Sequence, residues 1–137
     1  MPGELYRIMN IRDGFGLKTA VEKGYHVIII SGGKSESVRT RLQNLGLKDV
    51  FLGIENKIIA YEEVKTKYNL ENDEILYMGD DVPDYDVMKI NGIPTCPFDA
   101  VADIRSLSVY ISPLKGGEGC VRDVIEQTLR LQGNWPV

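Results

Sequence analysis

The sequence has few of the residues that thiolate metal sites, disulfide frameworks and histidine chemistry require. Its 137 residues include two cysteines and one histidine. Cys96 and Cys120 lie far apart and lack the paired spacing of zinc ligands. We therefore expect two reduced thiols in a cytoplasmic protein, without a disulfide framework or a thiolate-bound metal.

The chain also lacks an excess of positive charge and any long hydrophobic run. It has 16 Lys and Arg residues against 20 Asp and Glu residues, a net charge of -4. Nucleic acids and anionic membranes attract basic surfaces, so neither is expected as a main partner. No apolar run approaches the roughly 18 residues of a membrane span, and the start has no signal-peptide pattern. A hydrophobic fraction of 43% suffices for one domain, expected over residues 1–137.

Apolar bursts alternate with amphipathic stretches along the chain. The expected strands are 5–11, 25–31, 49–54, 74–79, 92–97 and 108–112. The expected helices are 13–24 with Asp13 as N-cap, 35–46, 56–70 with Asn56 as N-cap, 83–92, 99–105 and 118–133. This alternation predicts an α/β fold, a three-layer Rossmann-like parallel sheet with helices on both faces. Ligands of such sheets bind beyond the carboxyl ends of the strands, so residues that directly follow strands are the functional candidates.

An acidic cluster follows the apolar strand 74–79. Asp80, Asp81 and Asp84 lie there, after Gly79, which is expected to let the backbone turn sharply. Carboxylates that share an edge of a sheet repel one another unless a cation joins them, and Mg²⁺ is usually held by one or two carboxylates with water and phosphate. An EF-hand is excluded, because its loop needs a glycine and a glutamate at positions that other residues fill. A turn with helix-capping aspartates is the alternative.

Groups that can bind phosphate follow two other strands. A hydroxyl, two glycines and a lysine come after strand 25–31, as Ser31, Gly32, Gly33 and Lys34. The hydroxyl and the glycine amides can form an anion nest, although such residues also form ordinary loops. Lys57 opens the helix 56–70, where the helix dipole disfavours a cation, so it can serve to balance aspartates or a phosphate. A solvated surface lysine is the alternative.

Further candidates for binding an anionic substrate lie at other junctions. Arg12 and Asp13 stand where strand 5–11 meets the next helix, and an arginine there can grip a carboxylate or phosphate at two points. A capped helix with a surface arginine explains the same residues. Arg39 is a further cationic candidate. The glycine-rich loop 115–119 is either a helix-entry turn or a loop that folds over a ligand.

These signals together resemble the haloacid dehalogenase superfamily of phosphotransferases. The shared order is a serine after a strand, a lysine at a helix start and "GDDVPD" after a later strand. The stretches 10–57, 77–88 and 116–125 are similar to the branch of 3-deoxy-octulosonate 8-phosphate phosphatases and nonulosonate 9-phosphate phosphatases. This similarity extends over nearly the whole chain.

The resemblance implies a capless, Mg²⁺-dependent phosphatase that acts on a sugar-acid phosphate. Ser31 would bind the transferring phosphoryl group, and Lys57 would pair with that group and the nucleophile. Asp80 would ligate Mg²⁺, while Asp81 and Asp84 would support the metal and its waters. The family also implies homotetramers in which a glycine-rich segment approaches a neighbour's site. The resulting substrate-side candidates are Lys115, Gly116, Gly117 and Arg122.

The chain departs from this family in one respect that concerns catalysis. Family members open with a strand that ends in D-x-D-G, whose first aspartate attacks phosphorus and whose second is the general acid and base. No D-x-D-G occurs in the sequence. We therefore expect an N-terminally truncated, inactive chain without the first central strand; a non-catalytic subunit or pseudo-enzyme is the alternative. A phospho-receiver domain is disfavoured, because its acid pair precedes its hydroxyl and lysine. Gly33 replaces a larger polar residue of many octulosonate phosphatases, which leaves the sugar open.

Overall fold

The structure, a computed structural model, describes residues 11–137, with side chains from Asp13 onward. The helices are α1 Ile11–Glu22, α2 Glu36–Asn44, α3 Lys57–Tyr68, α4 Tyr85–Ile90, α5 Ala102–Leu107 and α6 Cys120–Leu131. The strands are β1 Ile28–Ile30, β2 Asp49–Phe51, β3 Leu76–Met78, β4 Ile93–Cys96 and β5 Tyr110–Ile111. Short 3₁₀ turns at Asn72–Glu74 and Val82–Asp84 flank β3.

The strands pair only in parallel, as expected for alternating strands and helices. β1 pairs with β2, and β3, β4 and β5 form a second sheet in that order. The α/β class with parallel sheets is therefore confirmed. The expected single sheet is divided, since no ladder joins β1 to β3 within residues 11–137. None of the helices in this part of the chain is long and apolar enough to cross a membrane.

The predicted element boundaries were wrong at the start of the described chain. Helix α1 begins at Ile11, so the strand predicted for 5–11 does not include that residue, and the rest of it lies outside the described residues. Asp13 is not an N-cap but lies in the first turn of α1, where it is buried. Strand β1 is also shorter than the strand predicted for 25–31. Its ladder with β2 extends from Ile28 to Ile30.

The hydrophobic core forms two clusters, one around each sheet. The first consists of Leu17, Val38, Leu42, Leu47 and Val50. The second consists of Met88, Cys96, Ala100 and Ile104. Helix α3 contacts both β1 and α4, so it extends from the first sheet to the elements of the second. Both cysteines of the chain are free and buried.

Helix α3 is fixed at both ends. At its start, the Asn56 side chain accepts a hydrogen bond from the Ile58 amide, which confirms the predicted N-cap. In its last turn, Lys67 and Tyr68 donate to the carboxylate of Asp49, the first residue of β2. The His26 ring stacks on Tyr68 with centroids 3.9 Å apart. Burial of Asp49 would raise its pKa, but the hydrogen bonds from Lys67 and Tyr68 outweigh it and hold the pKa below its ordinary value.

Replacing Asp49 tests this attachment. Asp49→Asn will lower the free energy of unfolding at pH 7 by about 1–3 kcal/mol, because two donors lose a charged acceptor. The depressed pKa means that the ionised carboxylate stabilises the fold above the ordinary pKa of 3.8, and that this contribution disappears as the pH falls through lower values. The difference between wild type and variant in the free energy of unfolding, measured in urea, will therefore narrow as the pH falls below about 4. A difference that stays constant over this range contradicts the assignment.

Candidate active site

A buried ion pair between α3 and the turn after β3 is the centre of the candidate site. Lys57 Nζ lies 2.9 Å from Asp84 Oδ1, and the two side chains are 15% and 3% exposed. Asn56 caps the helix and so makes Lys57 its first residue. Water screens a buried pair little, and each charge would be costly without the other. The lysine is therefore held at the helix start by the carboxylate, not by solvent.

The Asp84 carboxylate is fully used as an acceptor. Oδ1 also accepts the Tyr77 hydroxyl at 2.7 Å, and Oδ2 accepts the amides of Asp80 at 2.9 Å and Asp81 at 3.4 Å. Burial would raise the pKa of Asp84, but the positive charge of Lys57 and these hydrogen bonds outweigh it and hold the pKa below its ordinary value. The ionised group therefore orients Lys57 and the turn. This agrees with a supporting role beside a metal and leaves direct ligation to other groups.

Asp80 and Asp81 have different surroundings, although they are adjacent. Asp81 is exposed, and its side chain accepts a hydrogen bond from the Val82 amide at 2.7 Å, so it caps the turn Val82–Asp84. Asp80 is also exposed; partial burial of its carboxyl group, and then the negative charge of Asp84, raise its pKa. Nearby negative charge of this kind is relieved by a cation. Asp80 is therefore the carboxylate best placed to hold one.

The acidic residues do not form a ready-made metal cage. Within residues 11–137, no three His, Cys, Asp or Glu side chains are grouped so that they could hold an ion. Magnesium does not require such a cage, since it is commonly bound through one or two carboxylates together with water and phosphate oxygens. The donors present, one outward carboxylate beside a buried lysine, fit an ion whose remaining ligands come from elsewhere.

Gly79 is required for space and not for a left-handed turn. Its φ is not in the positive region where glycine is favoured. A Cβ at this position would lie 2.5 Å from Asp84 Cβ and 2.7 Å from Met88 Sδ. The contact that requires glycine here is the close approach of the end of β3 to the buried Asp84 carboxylate. Only a residue without a side chain allows Asp84 to fold back against the strand end.

Ser31 follows β1 and lies beside the loop that leads to Lys57. Its amide donates to Phe51 O at 2.8 Å, and its carbonyl accepts the Ile54 amide at 3.0 Å. The Ser31 hydroxyl accepts the Gly33 amide at 3.0 Å. Gly33 N is thus turned towards Ser31 and not outward, whereas Gly32 is exposed. We use "the rim" for Ser31, Lys57, Asp80 and Asp84. Hydrogen bonds to Asp84 join Lys57 and Asp80, and the place of Ser31 beside them stays a prediction.

Lys34 and Arg39 pack against the loop and strand of the first sheet. The Lys34 stem lies over Gly53, where an added Cβ would come within 3.3 Å of its Cγ. Arg39 Nη1 donates to Val50 O at 2.7 Å, and its Nε donates to Glu36 at 3.0 Å. The Arg39 guanidinium is therefore bound to β2 and to its own helix. A substrate role for Arg39 stays a prediction, and its contacts describe a structural one.

Asp13 and Arg122 meet where α1 packs against α6. Asp13 Oδ1 accepts the Arg122 amide at 2.8 Å, and burial raises the pKa of Asp13 against the effect of this bond. The Arg122 guanidinium pairs with Glu126 at 2.9 Å and lies 5.3 Å from the Phe15 ring and 4.8 Å from the Trp135 ring. These contacts join α1 to α6 and not to the ion pair. The side chain of Arg12 lies outside the described residues.

The glycine-rich loop is connected to Asp80 through the loop 97–101. The Gly116 amide donates to Asp99 Oδ1 at 2.9 Å, and the Phe98 amide donates to Leu114 O at 2.9 Å. The Val101 amide in turn donates to Asp80 O at 3.1 Å. Lys115 is exposed, and Gly117 adopts a φ of 79°. The structure thus brings the loop of Lys115, Gly116 and Gly117 near the acidic part of the rim.

Tyr77 is a site residue that sequence reasoning missed. Burial, and then the charge of Asp84, raise its pKa well above the ordinary value, so its hydroxyl stays protonated and donates. A signal was present in the sequence: Tyr77 carries the one hydroxyl in the apolar strand run "ILYM", shortly before the aspartates. A buried hydroxyl needs a hydrogen-bond partner, and the aspartates that follow in the sequence can accept its hydrogen bond.

Comparison with known proteins identifies the family. No family model matches the chain. The 3-deoxy-D-manno-octulosonate 8-phosphate phosphatase KdsC of Escherichia coli K12 is 33% identical over 131 residues, which cover 96% of this chain and 70% of the relative. The chain belongs to the 3-deoxy-D-manno-octulosonate 8-phosphate phosphatase branch of the haloacid dehalogenase superfamily. The predicted resemblance is confirmed.

Solved structures of this phosphatase branch share the fold. The enzyme from Yersinia pestis superposes with a TM-score of 0.88 at 30% identity, covering 91% of this chain and 68% of that one. The enzyme from Moraxella catarrhalis, in complex with magnesium, phosphate and KDO, gives a TM-score of 0.87 at 31% identity. That alignment covers 90% of this chain and 71% of the Moraxella chain. The Rossmann-like arrangement of this phosphatase branch is therefore present in the chain.

Removing the lysine tests the buried ion pair. Lys57→Met will lower the free energy of unfolding by about 3–5 kcal/mol, because it leaves the Asp84 carboxylate buried without its counter-charge. Urea denaturation followed by circular dichroism measures this. Adding Asp84→Asn to Lys57→Met will recover part of the loss, since the uncompensated charge is then gone.

A second lysine of α3 is the control for this experiment. Lys65 Nζ lies 3.6 Å from Glu62, whose side chain is 52% exposed. Lys65→Met will change the free energy of unfolding by less than about 1 kcal/mol, the range of surface pairs. If Lys57→Met and Lys65→Met lower the free energy of unfolding equally, the Lys57–Asp84 pair contributes no more than a surface pair.

Adding a methyl group at Gly79 tests the close approach of β3 to Asp84. Gly79→Ala will destabilise the fold by about 1–3 kcal/mol through overpacking. Gly14→Ala is the control. Gly14 lies inside α1, and the nearest atom of the described residues to its new Cβ is on Leu45 at 3.9 Å, so the variant will stabilise the fold by about 0.5–1 kcal/mol. Thermal unfolding of both variants decides, and a neutral Gly79→Ala refutes the steric argument.

Proposed function

We propose that the rim is the metal-binding and phosphate-binding part of a phosphatase site that accepts a sugar-acid phosphate. The observation that carries the proposal is the Lys57–Asp84 pair with the backbone of Asp80 bonded to the same carboxylate; Ser31, which follows β1, is proposed to lie at the same edge. A cation, a hydroxyl and a free carboxylate at one edge of a parallel α/β fold are the groups that a phosphoryl group and its metal need. 3-Deoxy-D-manno-octulosonate 8-phosphate, named for the relatives, is the favoured substrate, with a nonulosonate 9-phosphate as the second.

Each residue of the rim has a distinct role in this proposal. The Lys57 ammonium has three N–H donors, of which the pair with Asp84 uses one, so others can reach a phosphoryl oxygen. The Ser31 hydroxyl binds a second phosphoryl oxygen, and Asp84 keeps Lys57 charged and aimed. Asp80 is the ligand for Mg²⁺, with Asp81 and Asp84 behind it. Bound Mg²⁺ would supply positive charge against the developing charge on the phosphoryl oxygens.

An assembly that covers the rim, such as a homotetramer in the cytoplasm, fits the exposed surface nearby. Large apolar side chains flank the acidic turn: Val82 is 63% exposed, Phe98 50% and Val101 38%. Exposed apolar side chains that cluster beside polar residues often mark a surface that binds another protein. The glycine-rich loop with Lys115 lies beside Phe98 and would approach the substrate from the same direction, alone or from a neighbouring subunit.

The 137 residues alone are proposed not to turn over substrate. The chain has no D-x-D-G motif, which supplies the attacking aspartate and the general acid and base of the family. The absent motif also favours a second candidate function, a non-catalytic subunit of the same fold. The two differ in whether the rim still binds a metal and a phosphate.

Magnesium titration with and without orthophosphate tests the proposal. Calorimetry on the purified chain will show Mg²⁺ binding that orthophosphate strengthens, and Asp80→Asn will weaken it by about tenfold or more. Asp86→Asn is the control, since Asp86 is an exposed carboxylate in the first turn of α4. Absence of Mg²⁺ binding in the wild-type chain would favour the non-catalytic subunit, and phosphate release from a sugar-acid phosphate would refute the proposed inactivity.

A further inference from the structure

The Tyr77 hydroxyl contacts the same oxygen of Asp84 as the lysine does. Tyr77 Oη donates to Asp84 Oδ1 at 2.7 Å, and Lys57 Nζ lies 2.9 Å from that atom. The three side chains come from three elements: β3, α3 and the turn that leads into α4. Within residues 11–137, the hydrogen bonds given for the other oxygen of Asp84 come from the backbone amides of Asp80 and Asp81. Tyr77 and Lys57 are therefore the two side chains that decide how the carboxylate is rotated.

The Tyr77 ring is itself held by a second tyrosine. Its ring meets that of Tyr61 edge to face, with centroids 6.2 Å apart and an interplanar angle of 81°. Tyr61 is 2% exposed, and its hydroxyl donates to Asn72 Oδ1 at 2.9 Å and accepts from Asn91 Nδ2 at 3.2 Å. Since Tyr61 lies one helical turn after Lys57 on α3, the helix that carries the lysine also fixes the tyrosine.

The backbone of Tyr77 is anchored from the opposite strand. Thr95 Oγ1 donates to Tyr77 O at 2.9 Å, and Thr95 is 1% exposed. Tyr77 also lies in the middle of the β3–β4 ladder, opposite Pro94. The hydroxyl is thus placed by strand pairing and by ring packing together. Such double support is what precise placement of a charged group requires.

We propose that Tyr77 is a positioning residue of the rim: its hydroxyl fixes the rotation of the Asp84 carboxylate and, through it, the direction of the Lys57 ammonium. This inference deepens the proposed function and depends on it for its relevance to phosphate binding. Without the hydroxyl, Oδ1 keeps one side-chain donor, and the carboxylate and ammonium can rotate together. The lysine then loses the single direction in which its remaining N–H groups meet a phosphoryl oxygen.

Removing only the hydroxyl tests the inference. In Tyr77→Phe the ring and its contact with Tyr61 remain, so the fold is kept. In ¹⁵N-labelled chain, the ammonium protons of Lys57 will exchange with water several-fold faster than in the wild type, because the pair is less fixed. The affinity for orthophosphate in the presence of Mg²⁺ will fall by about tenfold. The Lys57 signal is assigned by its absence in Lys57→Arg.

Tyr110→Phe is the matched control, since it removes the same kind of bond elsewhere. Tyr110 Oη donates to Asp123 Oδ2 at 2.7 Å, between β5 and α6. This variant will lose stability comparable to that of Tyr77→Phe but will leave the Lys57 exchange rate and the orthophosphate affinity at wild-type values. A purely structural role for Tyr77 would make the two variants equal in all three measurements, which would overturn the inference.

The two parts of the experiment separate this inference from the proposed function. Lys57 exchange reports on positioning whether or not the rim binds phosphate. If the wild-type chain binds no orthophosphate with Mg²⁺, the proposed function fails, and the exchange rate alone still decides whether Tyr77 orients the pair. If orthophosphate binds equally well to the wild type and Tyr77→Phe, the inference fails and the proposed function stands.

Discussion

The ion pair between Lys57 and Asp84 is the interaction on which the arrangement of the site depends. It joins helix α3, which contacts the first sheet, to the turn that follows β3 of the second sheet. Among the described residues, no strand ladder connects the two sheets. Because Asp84 is buried and Lys57 is mostly so, moving the lysine away would leave the carboxylate uncompensated. The adjacent carboxylate of Asp80 and the loop of Ser31 take their positions from the elements that this pair holds together.

The general plan of the molecule could be predicted from the sequence. Alternating apolar and amphipathic segments are sufficient for a parallel α/β fold, and the geometry of such a fold places residues that follow strands at one edge. The same pattern predicts Lys57, Ser31 and Asp80 as site residues, of which Lys57 and Asp80 both bond to Asp84. The family resemblance rested on the same residues in their order, and the similarity to the octulosonate phosphatases confirms it.

Individual side-chain directions could not be predicted. Asp81 and Asp84 look alike in sequence, but one caps a turn and the other is saturated by four donors, which depends on how tightly the chain folds back at Gly79. Arg39 and Arg122 have long side chains whose contacts with β2 and with α1 are set by neighbours distant in sequence. The start of α1 at Ile11 was missed because an apolar run there fits strand and helix equally well.

The division of the core into two clusters has a thermodynamic consequence. Each cluster of the described residues can be cohesive by itself, so we expect the contact between them to open more readily than either cluster. A small ligand that contacted both Ser31 and Asp80 would link the two clusters. Its binding free energy would add to the free energy needed to separate the clusters. The stability of the chain would therefore increase with the occupancy of the site.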